Sequence, residues 1–491
     1  MSQQILSPEE LMQLEERCAN KLGEGELMRR AGAAVAATVR TLAEPGSHVV
    51  IICGPGNNGG DGFACALSLK SMGFRVTCAL IGVKEPKTDE ARAMFNAWVA
   101  AGGALVEDPY SADKADVVVD ALFGTGLKKA LSGDYLDAAM WFNERQAAHV
   151  SIDIPSGLDA QTGNWVGGMK GCIADITVAM LCPKAGCYMN DGADASGRIL
   201  LEELDVSVPL STLDVIDTDD FRHVLEPRAR NSHKGTYGHV AVVGGEKGFV
   251  GAALLAGRAA LKLGAGRVTV ELLAENAPAV DPVCPELMLA AEPIDLTKTD
   301  CNVVGCGIGF SERAKERVLA AIAAPVPLVL DADALRMIAQ DQKMIEAMVV
   351  RQAHTVITPH PGEAAEILDT NVKAVNADRV QAARELSILT GAISILKGCG
   401  TVIALRSSRT WINPTGNASL ATAGSGDVLS GMLGAMFAQQ YDLVSAVLSA
   451  VWLHGRAAED CYAGMTASDI APAAADILDA LRGGDVEDVD D

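Results

Sequence analysis

Apolar positions recur at helical spacing through residues 8–43, behind Ser7-Pro8-Glu9-Glu10, a hydroxyl and a carboxylate spaced as a helix-opening capping box. From residue 48 the pattern changes to short β-rich runs at 48–53, 75–81, 116–120, 149–154 and 176–181, separated by stretches of helical period. Strands that alternate with helices in this way predict a mainly parallel sheet covered by crossover helices.

Periodicity lapses between residues 206 and 218, and a second series of strands follows at 239–243, 267–272, 302–304, 328–330 and 393–396. The reading is therefore two α/β domains, 1–215 and 216–482, followed by an acidic tail at 483–491, and 491 residues are too many for one ordinary core. The most apolar stretch, 428–452, is broken by Gln439, Gln440 and Asp442. Those side chains are costly in lipid and ordinary in a buried helix pair, so no membrane span is expected.

Charge narrows the partners. Acidic residues outnumber basic ones 63 to 40 and no Lys/Arg cluster stands out, which argues against a nucleic-acid ligand. The twelve cysteines form no CxxC pair, and Cys53, Cys78 and Cys301 sit in apolar runs, as buried thiols do. A reducing, cytoplasmic setting is expected, without an export signal at the N-terminus. Cys182 and Cys187 lack a histidine at zinc spacing.

In the first half, Gly54-Pro55-Gly56-Asn57-Asn58-Gly59-Gly60-Asp61-Gly62 follows a strand, with a helix expected to open near Phe63. Glycines there admit backbone N–H groups to an anion, although the loop has neither the Lys-Ser/Thr of a P-loop nor GxGxxG. A glycine-rich turn that only packs helix on strand has the same composition. Asp120 and Asp153 each close a strand, leading into Phe123-Gly124-Thr125-Gly126-Leu127 and Pro155-Ser156-Gly157. The carboxyl ends of parallel strands converge on one crevice, where Asn58, Asp120 and Ser156 offer hard oxygens to an alkali or alkaline-earth cation and Asp153 is free for acid/base work. Taken singly, an Asp at a strand end more commonly caps a helix.

These motifs, with Leu27-Met28-Arg29-Arg30-Ala31-Gly32 and Asp153-Ile154-Pro155-Ser156-Gly157-Leu158-Asp159, resemble the NAD(P)H-hydrate epimerase domain over residues 1 to about 215. The resemblance implies a Rossmann-like three-layer domain. It also implies that Asn57, Asn58, Gly59, Gly60 and Asp61, then Gly124, Thr125, Gly126, Leu127, Lys128, Lys129 and Ala130, and Asp153 touch the damaged dinucleotide. Asn58, Asp120 and Ser156 would coordinate potassium, with Asp153 as the acid/base.

In the second half, Ala421-Thr422-Ala423-Gly424-Ser425-Gly426-Asp427 opens an apolar helix. A Gly-Ser-Gly turn aims several N–H groups at one spot, and Asp427 beside it can take the proton of a hydroxyl as phosphate arrives. Asn231-Ser232-His233-Lys234-Gly235, Gly305-Cys306-Gly307-Ile308-Gly309, Asp331-Ala332-Asp333, Thr358-Pro359-His360-Pro361-Gly362-Glu363 and Lys397-Gly398-Cys399-Gly400-Thr401 precede it in order. Together they resemble the ADP- or ATP-dependent NAD(P)H-hydrate dehydratase domain, with its ribokinase-like α/β fold. On that resemblance Ala253, Gly307 or Gly309, His360 and Asp427 contact the hydrated nucleotide. Lys397, Gly398, Cys399, Gly400, Thr401 and Gly426 contact the adenine nucleotide, ADP in preference to ATP, with Mg2+ on its phosphates and Glu363 nearby. His360 alone would read as a turn or capping histidine.

Cys306 stands where this family commonly has Pro, Ala334 where Gly is usual, and Ala423 where Gly is frequent. The implied activity is repair of hydrated NADH and NADPH, by epimerisation in the first half and nucleotide-dependent dehydration of the S hydrate in the second, in a homo-oligomer. The alternative is a ribokinase-like small-molecule kinase fused to a nucleotide-binding domain, which leaves the motifs of the first half without a task.

Overall fold

The computed structural model describes residues 3–112, 114–461 and 464–483, so the acidic tail beyond Gly483 lies outside the described residues. The chain divides into two compact units, Gln3–Leu213 and a second that begins at Asp214.

The first unit opens with Pro8–Leu22, N-capped by Ser7 in a capping box with Glu10, and Glu26–Leu42. Its seven-stranded sheet has the order Ala104–Val106, Arg75–Leu80, His48–Cys53, Val117–Ala121, Ala148–Ile152, Ile176–Met180, Arg198–Glu202, parallel throughout. The edge strands at 104 and 198 lie outside the runs expected from sequence; the first is three residues long, and neither is buried, so neither shows a core pattern. Both faces are covered: Phe63, Leu69, Phe95 and Trp98 lie in the core on one side, and Trp141, Phe142 and Ile52 on the other. That makes three layers, and the central strands are buried on both faces, hence their unbroken apolar runs.

Connections from His48–Cys53 first run outward through 75 and 104, then return to Val117–Ala121 on its other side. This reversal leaves a crevice at the carboxyl ends of two adjacent strands, the place where open α/β sheets bind ligands. Gly54 N–H donates to Ala121 C=O at 2.9 Å, and a Cβ at Gly54 would fall 1.8 Å from Leu122 O. Only glycine lets the two loops approach so closely.

In the second unit the strands lie in the order Thr410–Ile412, Val402–Ala404, Ile393–Leu396, Thr355–Ile357, Leu328–Leu330, Cys301–Val304, His239–Gly244, Arg267–Leu272, Met288–Leu289. They are parallel from Met288–Leu289 to Ile393–Leu396, and the last two pairings are antiparallel. A reversal recurs here between His239–Gly244 and Cys301–Val304, whose loops are tied by Gly245 N–H to Cys306 C=O at 3.0 Å and Glu246 N–H to Gly307 C=O at 2.7 Å.

The apolar stretch at 428–452 belongs to two helices, Ser425–Ala438 and Leu443–Asp460. Every residue from Val428 to Ala438 is buried, so the helix is apolar all round because protein surrounds it. Gly431 permits this against Val250–Lys262, since a Cβ there would meet Ala256 O at 2.0 Å. Among the described residues no helix is long and apolar enough to cross a membrane.

Candidate functional sites

A cavity of about 680 Å³ occupies the crevice of the first unit. Asn57, Asn58, Asp61, Gly124, Thr125, Gly126, Leu127 and Asp153 all line it; Gly59, Gly60, Lys128, Lys129 and Ala130 do not. The helix opens at Asn57 rather than near Phe63, with Gly60 N–H already donating to Gly56 C=O at 3.2 Å. The glycine-rich segment is thus mostly the first turns of the helix itself, and its free N–H groups and dipole face the cavity end. Gly59 and Gly60 serve packing: a Cβ on Gly59 would stand 2.0 Å from Gly54 O, and one on Gly60 would strike Met28. Thr88 Oγ1 donates to Asn57 Oδ1 at 2.6 Å and so sets that side chain.

Asp153 follows the strand Ala148–Ile152 with φ 69°, and Leu181 follows the neighbouring strand Ile176–Met180 with φ 65°. Left-handed backbone at non-glycine residues costs about 1–3 kcal/mol each and persists where the surroundings enforce it. Here the two turns bring Lys184 to Asp153. Lys184 is 4% exposed, donates to Met180 C=O at 2.7 Å and Cys182 C=O at 3.0 Å, and forms an ion pair with Asp153 Oδ1. Burial draws its ammonium down, but Asp153 more than restores it and holds it above the ordinary lysine value. The other Asp153 oxygen, Oδ2, borders Gly124 together with Asn58 Oδ1, and a Cβ at Gly124 would lie 3.3 and 3.5 Å from them.

Asp120 and Ser156 are buried beside this cavity rather than in its lining. Asp120 accepts from Ser156 Oγ at 2.6 Å, Ser156 N–H at 2.8 Å, Ser151 Oγ at 3.0 Å and Leu122 N–H at 3.1 Å. Burial pushes its carboxyl up in spite of these donors, and no basic side chain pairs with it among the described residues. Ser156 Oγ also lies 3.1 Å from Phe123 C=O. Asn58 Nδ2 is buried without a partner, and turning the amide over would put its oxygen in that position. A dry carboxylate, a hydroxyl, a carbonyl and an amide are hard oxygen donors of the kind an alkali cation accepts.

In the second unit, Asp331 follows the strand Leu328–Leu330 and is 1% exposed. Its carboxylate accepts from Lys397 Nζ at 2.7 Å, Ser430 Oγ at 2.7 Å and Ala332 N–H at 2.9 Å. Asp427 stands on the first turn of Ser425–Ala438, and its ligand atoms, those of Asp331 and those of Cys306 lie within 4.8 Å of one another. Burial first, then the Asp331 charge, raises the Asp427 carboxyl to about 6. Asp331 already accepts from a lysine and two neutral donors, so this trio reads as a device for tuning Asp427 rather than a metal cage.

Gly426 borders Lys397, whose Nζ would be 3.1 Å from a Cβ there. Gly398 and Gly400 take φ of 141° and 62°, Cys399 is exposed, and Thr401 Oγ1 donates to Gly398 C=O at 3.0 Å. Gly307 and Gly309 are left-handed, and Gly309 N–H is anchored by Asp333 at 3.0 Å. Ala253 is fully buried against Gly244 and Gly245. His360 caps the helix Pro361–Ile367, its Nδ1 accepting from Gly362 and Glu363 N–H at 2.9 and 3.2 Å, with Nε2 turned toward Glu363.

Several residues of these sites carry no sequence motif. Lys184 had one available signal, its place just past a strand end of the same sheet. Glu15 and Glu90 line the first cavity from amphipathic helices whose period only announces a solvent face. His454, pushed down to about 4 by burial, is neutral and donates through Nε2 to Ser425 C=O at 2.9 Å, steadying the Gly-Ser-Gly turn.

Comparison with known proteins gives two family matches: residues 24–186 to the YjeF-related protein N-terminus, and residues 240–480 to NAD(P)H-hydrate dehydratase. The bifunctional NAD(P)H-hydrate repair enzyme Nnr of Escherichia coli K12 is 34% identical, over 91% of this chain and 88% of the relative. Those of Coxiella burnetii and Thermofilum pendens are 34% and 35% identical, each over 92% of this chain and over 94% and 90% of their own. A solved structure of the ADP/ATP-dependent NAD(P)H-hydrate dehydratase from Bacillus subtilis, co-crystallised with ATP and Mg2+, is 31% identical. It covers 54% of this chain and 96% of its own, with a TM-score of 0.47. With two family matches in order and relatives aligned over nine-tenths of its length, the chain belongs to the bifunctional NAD(P)H-hydrate repair enzymes.

Proposed function

We propose that the first unit interconverts the R and S hydrates of NADH and NADPH at the cavity around Asp153, and that the second dehydrates the S hydrate at Asp427. The observation that carries this reading is that each unit places a carboxyl at the switch-point end of its parallel sheet, next to glycine-built loops. If dehydration accepts one epimer only, the first unit supplies it from the other.

In the first unit Asp153 moves a proton at the hydroxyl on the ring carbon beside nitrogen. Asn57, Gly124, Thr125, Gly126 and Leu127 line the space the dinucleotide would fill. Asp120, Ser156 and Asn58 would hold potassium, which supplies a fixed positive charge beside the anionic substrate.

In the second unit Asp427 takes the proton of the ring hydroxyl, and the Gly-Ser-Gly turn with Lys397 steadies negative charge beside it. Lys397 and the loop 398–401 would hold ADP or ATP with Mg2+, whose phosphoryl group turns a poor leaving group into a good one. His360 reaches the nicotinamide nucleotide only by giving up its cap, so its role there is the least direct. We place the activity in the cytoplasm, in a homo-oligomer.

The test incubates the full chain with racemic hydrated NADH, ADP and Mg2+ and follows the absorbance of regenerated NADH. Complete rapid recovery is expected for the wild type. With Asp153→Asn about half should return quickly and the rest wait on spontaneous epimerisation, while Asp427→Asn should abolish recovery. Rapid complete recovery by both variants would remove these assignments.

A further inference from the structure

The cavity of the first unit holds more carboxyls than a single proton transfer uses. Asp61, from the first turns of Asn57–Ser71, and Asp153, from a strand end, both line it, together with Glu15, Glu90 and Lys87. Behind Asp153 stands buried Lys184.

Opening the hydrated ring removes a proton from oxygen and adds one to nitrogen, and two groups in opposite protonation states can do both at once. One takes the hydroxyl proton as the oxygen forms C=O and the bond from ring carbon to nitrogen breaks. The other gives a proton to the nitrogen, which keeps the bonding pair. Rotation about the adjacent carbon–carbon bond then offers the other face of the aldehyde. Ring closure returns both protons, so no oxidant, reductant or co-reactant is consumed.

Asp153 suits the first task because Lys184 fixes one of its oxygens while the other borders Gly124 in the cavity. Lys184 is itself fixed by two carbonyls, which leaves it little freedom to move off the carboxylate. It is a positioning residue.

We propose that Asp61 is the second proton carrier of epimerisation, giving the ring nitrogen its proton while Asp153, fixed by Lys184, takes the one on the hydroxyl. Asp61 lines the same cavity as Asp153 from a different element, so both carboxyls border the space one substrate would fill. Burial, followed by the charges of Asp153, Glu15 and Glu90, outweighs Lys184 and holds the Asp61 carboxyl well above the ordinary carboxylate range. A proton is thereby kept on Asp61 under conditions that leave an ordinary aspartate bare.

The proposal rests on the epimerase reading of this unit, and its experiment separates the two. A single epimer of hydrated NADH is given to the full chain without adenine nucleotide, and conversion to the other epimer is followed by chiral chromatography across pH. No conversion by the wild type sinks the epimerase reading and the proposal with it. Given wild-type conversion, Asp61→Asn should lower kcat at least about 100-fold with KM within about threefold, the size of a lost general acid. Retention of a third of wild-type kcat overturns the proposal alone.

Lys184→Gln should lower kcat at least about tenfold with KM within about threefold, because Asp153 loses the cation that fixes it, and Lys184→Arg should restore most of that rate. A raised KM with kcat unchanged, or equal losses in the Gln and Arg variants, would reduce Lys184 to a structural group and overturn its part. Should Asp61→Asn fold poorly by thermal unfolding, Asp61→Glu decides: it should keep more activity than Asp61→Ser, and equal losses overturn the role.

Discussion

Lys397 Nζ lies 2.7 Å from Asp331 Oδ1, and this pair joins the loop after Ile393–Leu396 to the end of Leu328–Leu330. Burial opposes both charges, yet each partner outweighs it: Asp331 is held below the ordinary carboxylate range and Lys397 above the ordinary lysine range. Removing one partner strands the other in a dry site. Lys397→Met should therefore cost about 3–5 kcal/mol of stability by urea unfolding, and adding Asp331→Asn should recover part of that loss. An additive double variant would mean that the pair contributes no coupling.

Asp427 would make the proposed dehydration and the stability of the fold depend on pH with opposite signs. Its raised value means that a base working through Asp427 is ready only as pH climbs past about 6, so the dehydration rate should rise across that value and level above it. For folding, the proton is held by both states below about pH 4 and by the folded state alone between about 4 and 6. Stability from this group consequently falls as pH rises through that window, by at most about 3 kcal/mol. Asp427→Asn should abolish dehydration yet raise the unfolding free energy near pH 7.5 by about 1–2 kcal/mol, with the gain gone below about pH 4.

Local pattern was enough for the parts of this molecule whose chemistry is local. The central strands at 48, 117, 239 and 301 are buried on both faces, so apolar residues dominate them. Loops at their carboxyl ends carry the motifs because parallel topology aims them at one crevice. What stayed hidden lies in short strands, glycine contacts and strained turns, which leave no periodic signal. The antiparallel strands Val402–Ala404 and Thr410–Ile412 are three residues each, and the helix start at Asn57 is set by packing of Gly59 against Gly54 rather than by a capping side chain. Lys184 reads as one more lysine until two strained turns set it against Asp153.

Asp120 is a buried carboxylate that, among the described residues, is served by neutral donors alone, as the proposed potassium site would require. Replacing potassium in the buffer by tetramethylammonium should slow epimerisation at least about tenfold and leave dehydration of the S hydrate within about twofold. Asp120→Asn should remove the dependence on potassium together with most of the rate. Isothermal titration with potassium chloride gives a readout separate from turnover: heat of binding for the wild type and none for the variant. Epimerisation at full rate without alkali cations would refute the cation site.

Cys306 stands where the resemblance leads one to expect proline, and it lies beside Asp427, the carboxyl proposed to act in dehydration. Its thiol is fully buried, pushed up first by burial and then by Asp427 and Asp331, so it stays protonated and donates toward Asp427. That donor lowers Asp427 against the larger upward pull of burial. Cys306→Ala removes it, and the acid limb of the dehydration rate should move upward by up to about one pH unit, the worth of one hydrogen bond to a charged group. Cys306→Ser, which keeps a donor, should leave the limb near the wild-type position. Maleimide reagents should spare Cys306 in the folded chain and label exposed Cys399 first, which mass spectrometry of the digested protein reads directly. Identical limbs in all three proteins would show that the thiol only fills space beside Asp427.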